Sequence, residues 1–155
     1  MIIYLIEDDD LKARRVKGYL GRAFPSARVE HLRSYQSGLK AIERGLPDLL
    51  LLDMTMPTFD QGGQTREGRP RSMGGRDIMR KMLRKNLVCS VIVVTQFESF
   101  GEGEDNISYQ QLKEACAQEF PTLFRGMAQY HATSSAWEAE LNEMIAVCTN
   151  ENSTS

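Results

Sequence analysis

The chain holds 155 residues and 17.5 kDa, the size of one domain, since domains most often contain roughly 100–150 residues. Hydrophobic residues make up 41% and charged ones 26%, a balance that excludes wholesale disorder. Nineteen basic against twenty-one acidic side chains give a formal charge of -2, which argues against nucleic acid as a partner on bulk charge.

In chain order, short apolar runs alternate with amphipathic stretches. Ile2 to Ile6 is continuously apolar, as a strand buried on both faces would be. Residues 11–23 read as a helix, with Leu11, Val16, Tyr19 and Leu20 apolar among Lys12, Arg14, Arg15 and Lys17, and Pro25 ends it. A weaker strand spans Arg28 to Leu32, where charge flanks Val29 as at a sheet edge. A short helix from about Ser37 to Arg44 stops at Gly45, read as its C′ residue. Asp48 to Asp53 encloses four leucines and forms the next buried strand. Residues 58–74 are rich in Gly, Arg and Gln and read as a loop insertion. Arg76 to Asn86 carries Ile78, Met79, Met82 and Leu83 at helical spacing, and Val88 to Thr95 is the most β-branched run.

A second, acidic insertion falls at about residues 97–107, with Phe97 and Phe100 as potential anchors for a partner. Ser108 and Gln111 make a capping box for a helix that Pro121 closes. Leu123 to Tyr130 is a fifth strand. Ser135 and Glu138 suggest another capping box, opening a last helix with Trp137, Leu141, Met144, Ile145 and Cys148 on one stripe. The polar residues 150–155 read as a flexible tail. Charge is sorted along the chain. Residues 66–85 carry a local +6 and residues 98–119 a local -5, each read as a solvated face.

Five strands alternating with five helices imply an α/β fold, a doubly wound five-stranded parallel sheet in a single domain over residues 1–149. No apolar run reaches the roughly 20 residues that span a bilayer, so no membrane role is expected. Cys89, Cys116 and Cys148 are odd in number and far apart, which fits a reducing, cytoplasmic location. Met1 leads directly into the first strand, with no signal-peptide pattern.

Ligands of open parallel sheets sit beyond the C-terminal strand ends. Those ends carry Glu7 and Asp8, Asp53, Thr95, and Tyr130 with His131. Carboxylates gathered from two strands repel one another, and a hard divalent cation such as Mg²⁺ removes that cost. Asp9 and Asp10 are explained as helix N-terminal charges. Asp53, directly after four leucines, is not.

Tyr4 to Asp9, Leu50 to Pro57, Val91 to Thr95 and Gly126 to Tyr130 resemble, in order, the response-regulator receiver domains of bacterial two-component signalling. That resemblance implies a flavodoxin-like sheet of order 2-1-3-4-5. It implies Asp53 as the phospho-acceptor, facing a sensor histidine kinase or phosphotransfer protein. Glu7, Asp8, Asp53 and the backbone carbonyl of Thr55 would hold Mg²⁺. Thr95 and Tyr130 would be the switch residues of a protein-binding face directed at an output protein, with a homodimer also compatible.

The expected role is that of a stand-alone signalling domain, not an enzyme beyond self-phosphorylation and slow autodephosphorylation. One departure stands out: no lysine follows Lys113, whereas the family places one just after strand five, near Thr133 here. His131, Arg66, Arg69 and Arg71 are the candidate replacements. The alternative is a pseudo-receiver, the same fold used as a phosphorylation-independent protein-binding module. A phosphatase of the haloacid-dehalogenase type ranks low, because Thr55 stands where its second aspartate belongs.

Overall fold

The computed structural model describes residues 1–56, 74–96, 99–100 and 107–153. Strands β1 (Ile2–Ile6), β2 (Arg28–Leu32), β3 (Leu49–Leu52), β4 (Ser90–Thr95) and β7 (Phe124–Gln129) form one parallel sheet in the order β2-β1-β3-β4-β7. Counting only these five, the order is the expected 2-1-3-4-5. Helices α1 (Asp10–Ala23), α2 (Tyr35–Arg44), α3 (Gly74–Arg84), α4 (Tyr109–Glu119) and α5 (Ala136–Ser153) connect and follow them.

Alternation along each strand splits the core into two layers. Tyr4, Ile6, Leu50, Leu52, Val91 and Val93 face α2, α3 and α4, packing on Ile42, Met79, Met82 and Leu112. Ile3, Leu5, Leu49, Leu51, Ile92 and Val94 face α1 and α5, packing on Val16, Leu20, Trp137 and Leu141. All four leucines of β3 are buried, each contributing roughly 1.5–3 kcal/mol relative to an exposed side chain. Strand β2 lies at one edge and is only half-buried, as its charged sequence foretold.

Several local expectations change in the structure. Helix α2 begins two residues early, because Ser34 caps it through a reciprocal bond with Ser37. Gly45 ends it in extended backbone, not in the left-handed region. The Ser108–Gln111 capping box is present. Glu138 instead pairs with Arg22 at 2.9 Å, and the Ala136 amide bonds Ser134 Oγ. Helix α5 continues through Ser153, so the expected tail is helical at least that far.

Most of the two expected insertions, with Pro57, Arg66, Arg69, Arg71 and Phe97, lies outside the described residues. Within the second, β5 (Ser99–Phe100) pairs antiparallel with β6 (Ile107–Ser108), which replaces part of the expected loop by a short ribbon. The two charge blocks also meet. Glu119 on α4 pairs with Arg76 at 2.8 Å and Arg80 at 2.7 Å on α3, so these are not simply solvated faces.

Gly126 is required where β7 shifts register against β4. Its φ of +156 strains any L side chain, and an added Cβ would stand 2.2 Å from Met144 Sδ. The Met144 side chain of α5 occupies the space that Cβ would take.

Candidate functional site

The C-terminal ends of β1 and β3 lie side by side because the two strands pair in parallel, Ile6 against Leu52. Each chain leaves its strand into an acid: Glu7 and Asp8 after β1, Asp53 after β3. One oxygen from each of the three carboxyl groups lies within 4.8 Å of the other two. Glu7 and Asp53 are buried, at 2% and 6% exposure, while Asp8 faces solvent. Asp9, by contrast, caps α1, accepting from the amides of Leu11 at 3.0 Å and Lys12 at 3.1 Å. It serves the helix, as read from the sequence.

The cation of the cluster comes from an unforeseen place. Lys12, on the first turns of α1, is 3% exposed. Its Nζ stands 2.5 Å from Glu7 Oε1 and 3.3 Å from Asp53 Oδ1, and donates to the carbonyl of Val94 at 2.7 Å. The contact with Asp53 is an ion pair without hydrogen-bond alignment. Asp53 Oδ1 is consequently buried with no hydrogen-bond donor among the described residues.

The sequence reading placed Lys12 among the polar residues of the helix and Leu11 on its apolar face. The structure reverses both: Leu11 is 59% exposed. Positions 12, 16, 19 and 20 are spaced i, i+4, i+7 and i+8, so Lys12 belongs to the buried stripe of Val16, Tyr19 and Leu20. That spacing was the available signal.

One ammonium does not neutralise three carboxylates. Burial pushes the Glu7 carboxyl up to about 8, with Lys12 opposing the rise and Asp53 adding to it. Burial likewise raises Asp53 against the pull of Lys12, and raises Asp8. Burial works against the charge on Lys12, but Asp53 and Glu7 outweigh it and its pKa rises.

An all-oxygen donor set, a residual negative charge and one orphaned buried oxygen fit a hard divalent cation such as Mg²⁺. Glu7, Asp8 and Asp53 are the side chains that would hold it. Thr55 lies half-buried two residues past Asp53.

Thr95 ends β4, fully buried, next to the Val94 carbonyl that receives Lys12. Its own carbonyl accepts from the Tyr130 amide at 2.7 Å. Tyr130 is buried against Trp137, with ring centroids 5.3 Å apart and Lys12 Nζ 5.7 Å from its ring. Its hydroxyl accepts from Arg15 at 3.3 Å, and Arg15 also bonds the Ala132 carbonyl. His131, a candidate replacement cation, is exposed.

No protein-family model matches the chain. It is 28% identical over 144 residues to the Detocs response regulatory protein DtcB of Enterobacter cloacae strain JD6301, spanning 91% of this chain and 96% of that protein. A response regulator receiver domain protein of Clostridium thermocellum has a similar structure, with a TM-score of 0.66 at 17% identity over 99% of this chain and 97% of the other. The Mn²⁺-bound form of the response regulator Rcp1 reaches 0.60 at 15% identity, over 94% and 91%.

Proposed function

We propose that this chain, a response-regulator receiver domain of two-component signalling, accepts a phosphoryl group on Asp53 and thereby changes a protein-binding face. The observation that carries this reading is the convergence of Glu7, Asp8 and Asp53 beyond β1 and β3, with one Asp53 oxygen unbonded. An ionised carboxylate is a competent nucleophile when the charge around the phosphorus is neutralised. Asp53 would attack phosphorus in line, forming an O–P bond as the N–P bond of a phosphorylated imidazole on a partner histidine kinase or phosphotransfer protein breaks. The leaving imidazole nitrogen retains the electron pair of that bond.

Glu7, Asp8, Asp53 and the carbonyl of Thr55 would hold Mg²⁺, which would screen the phosphoryl oxygens when bound. Lys12 pairs with Asp53 and bonds the Val94 carbonyl beside Thr95, so a change at Asp53 would reach β4 and, through Thr95 and Tyr130, β7. Tyr109 of α4 is tied to β7 by its hydroxyl on the Met127 carbonyl at 2.8 Å. The affected face is that of α4, β7 and α5, and its target is an output protein in the cytoplasm. The domain acts as a signalling component, with no turnover beyond gaining and slowly losing its own phosphoryl group.

A second reading has one observation behind it. Lys12 already holds Asp53 in an ion pair, as a constitutive binding module would need in order to tolerate its buried acids. Intact-mass spectrometry after incubation with Mg²⁺ and acetyl phosphate separates the two. The expected result is one phosphoryl adduct that needs Mg²⁺ and is absent from Asp53→Ala. If acetyl phosphate and a cognate kinase both leave the mass unchanged, the binding module is the correct reading.

A further inference from the structure

We propose that Lys12 is the phosphoryl-binding cation of this domain, so that the charge found after strand five in related domains is delivered here from helix α1. This rests on Asp53 being the phospho-acceptor. Three features of the site lead to it.

The first is donor geometry. An ammonium has three N–H donors. In Lys12 one is taken by the Val94 carbonyl at 2.7 Å and Glu7 is paired at 2.5 Å, which leaves the direction of Asp53. There a donor and an orphaned acceptor stand 3.3 Å apart without alignment. A phosphoryl group esterified to Asp53 adds oxygens beside that carboxyl, within reach of the same ammonium.

The second is charge. With all three carboxyl groups ionised, as a bound divalent ion favours, Glu7, Asp8, Asp53 and Lys12 sum to -2, so that ion brings the cluster to neutrality before any phosphoryl group arrives. Among the described residues, Lys12 is the only buried cationic side chain in contact with Asp53. A phosphoryl group would find no comparable partner in His131, which is exposed.

The third is what Lys12 is attached to. Its helix carries Arg15, which holds the Tyr130 hydroxyl and the Ala132 carbonyl, and its Nζ lies 5.7 Å from the Tyr130 ring. A shift of the ammonium toward a phosphoryl oxygen is therefore felt by α1 and by the start of α5, through Tyr130 and Trp137. The segment after β7 need carry no lysine.

The transfer itself balances without Lys12 donating a proton. The O–P bond to Asp53 forms, the bond from phosphorus to the leaving acetate of acetyl phosphate breaks, and acetate departs with the electron pair. Lys12 keeps its charge throughout.

The test compares wild type with Lys12→Met at saturating Mg²⁺ and acetyl phosphate, following adduct formation by intact mass. A parallel Mg²⁺ titration is read by thermal shift. Loss of one charged donor to the transferring group slows adduct formation roughly tenfold to hundredfold. Mg²⁺ binding is retained or tightened, because a competing cation has gone. Equal adduct rates and lifetimes in the two proteins overturn the proposal. So does a parallel loss of Mg²⁺ binding and phosphorylation, the mark of a purely structural role. A wild type that gains no adduct from any donor fails the earlier reading instead.

Should Lys12→Met not fold, the ¹⁵N signal of the lysine Nζ in wild type decides. Lys12 is the one buried among the chain's six lysines, so its signal is expected to be the one protected from exchange. Adding beryllofluoride, a phosphoryl mimic, to the Mg²⁺-saturated protein is expected to move that signal. An unmoved signal on a demonstrably beryllofluoride-bound protein rejects the assignment.

Discussion

Two clusters of charged side chains hold this molecule together in different ways. At the sheet's end, one ammonium is sealed among three carboxyl groups, two of them buried. Between α3 and α4, one carboxylate, Glu119, is shared by Arg76 and Arg80 at the surface, its side chain 33% exposed. In the buried cluster, burial raises Glu7 and Asp53 against the pull of Lys12, and three carboxyl groups face one ammonium. In the surface cluster Asp77 also pairs with Arg80, at 3.5 Å, so two cations face two anions; there Glu119 is lowered, chiefly through its bond from Arg80. In low dielectric the uncompensated charge is costly, and a site that stores it is suited to receive a cation or a transferring group. At the surface the same number of contacts is joinery, screened by water.

The largest effect is expected from removing the buried cation. Lys12→Met leaves Glu7 and Asp53 facing each other without a counter-charge, and breaking a buried pair in this way costs about 3–5 kcal/mol. Denaturant unfolding in EDTA should show that loss. Mg²⁺ should then restore much more stability to the variant than it adds to wild type, since a ligand stabilises by its preference for the folded state. Equal Mg²⁺ gains in the two proteins would mean that the ion and the ammonium do not share the carboxylates.

Asp53→Asn tests the same cluster from the other side. It removes a buried charge that is only partly compensated while leaving Lys12 paired with Glu7 at 2.5 Å. Without Mg²⁺ the variant should be as stable as wild type or more so, by about 1 kcal/mol, and its phosphoryl adduct should vanish. A large destabilisation instead would make Asp53 a structural anchor of the loop after β3. That contrast between lost chemistry and kept stability is what the surface cluster should never show.

How much of this was legible in the sequence differs between the two clusters for a physical reason. Continuous apolar runs such as Ile3 to Ile6 and Leu49 to Leu52 announce strands buried on both faces, and the acids that follow them announce the carboxyl cluster. Strand ends are local in sequence, so Glu7, Asp8 and Asp53 could be read directly. Lys12 is a tertiary fact. Its neighbours Arg14, Arg15 and Lys17 disguise it as part of a charged face, and only its register with Val16 and Tyr19 separates it from them.

The pairing of Glu119 with Arg76 and Arg80 was hidden for another reason. The residues are about forty positions apart, and opposite charge along a chain does not say which helices become neighbours. Gly45 shows the limit of residue-type rules, since its extended conformation needs no glycine at all.

The smallest effect belongs to the surface cluster, and its sign in pH is fixed. Arg80 and Arg76 hold the Glu119 carboxyl below its usual value of 4.5, so the folded state binds that proton more weakly than the unfolded chain. The stabilisation is present above the unfolded value and is lost as pH falls through the lower folded one. Glu119→Gln should therefore cost at most about 1 kcal/mol at neutral pH, as expected for a partly exposed surface pair, and progressively less in acid. Salt should weaken the wild-type contribution, since the Debye length at 0.15 M is roughly 8 Å. Urea unfolding of both proteins between neutral pH and pH 3, at low and high salt, measures this directly. Converging stability curves on the acid side would identify the α3–α4 contact as ordinary surface electrostatics. A constant gap at every pH and salt would show that Glu119 acts through packing, and the distinction between the two clusters would then rest on burial alone.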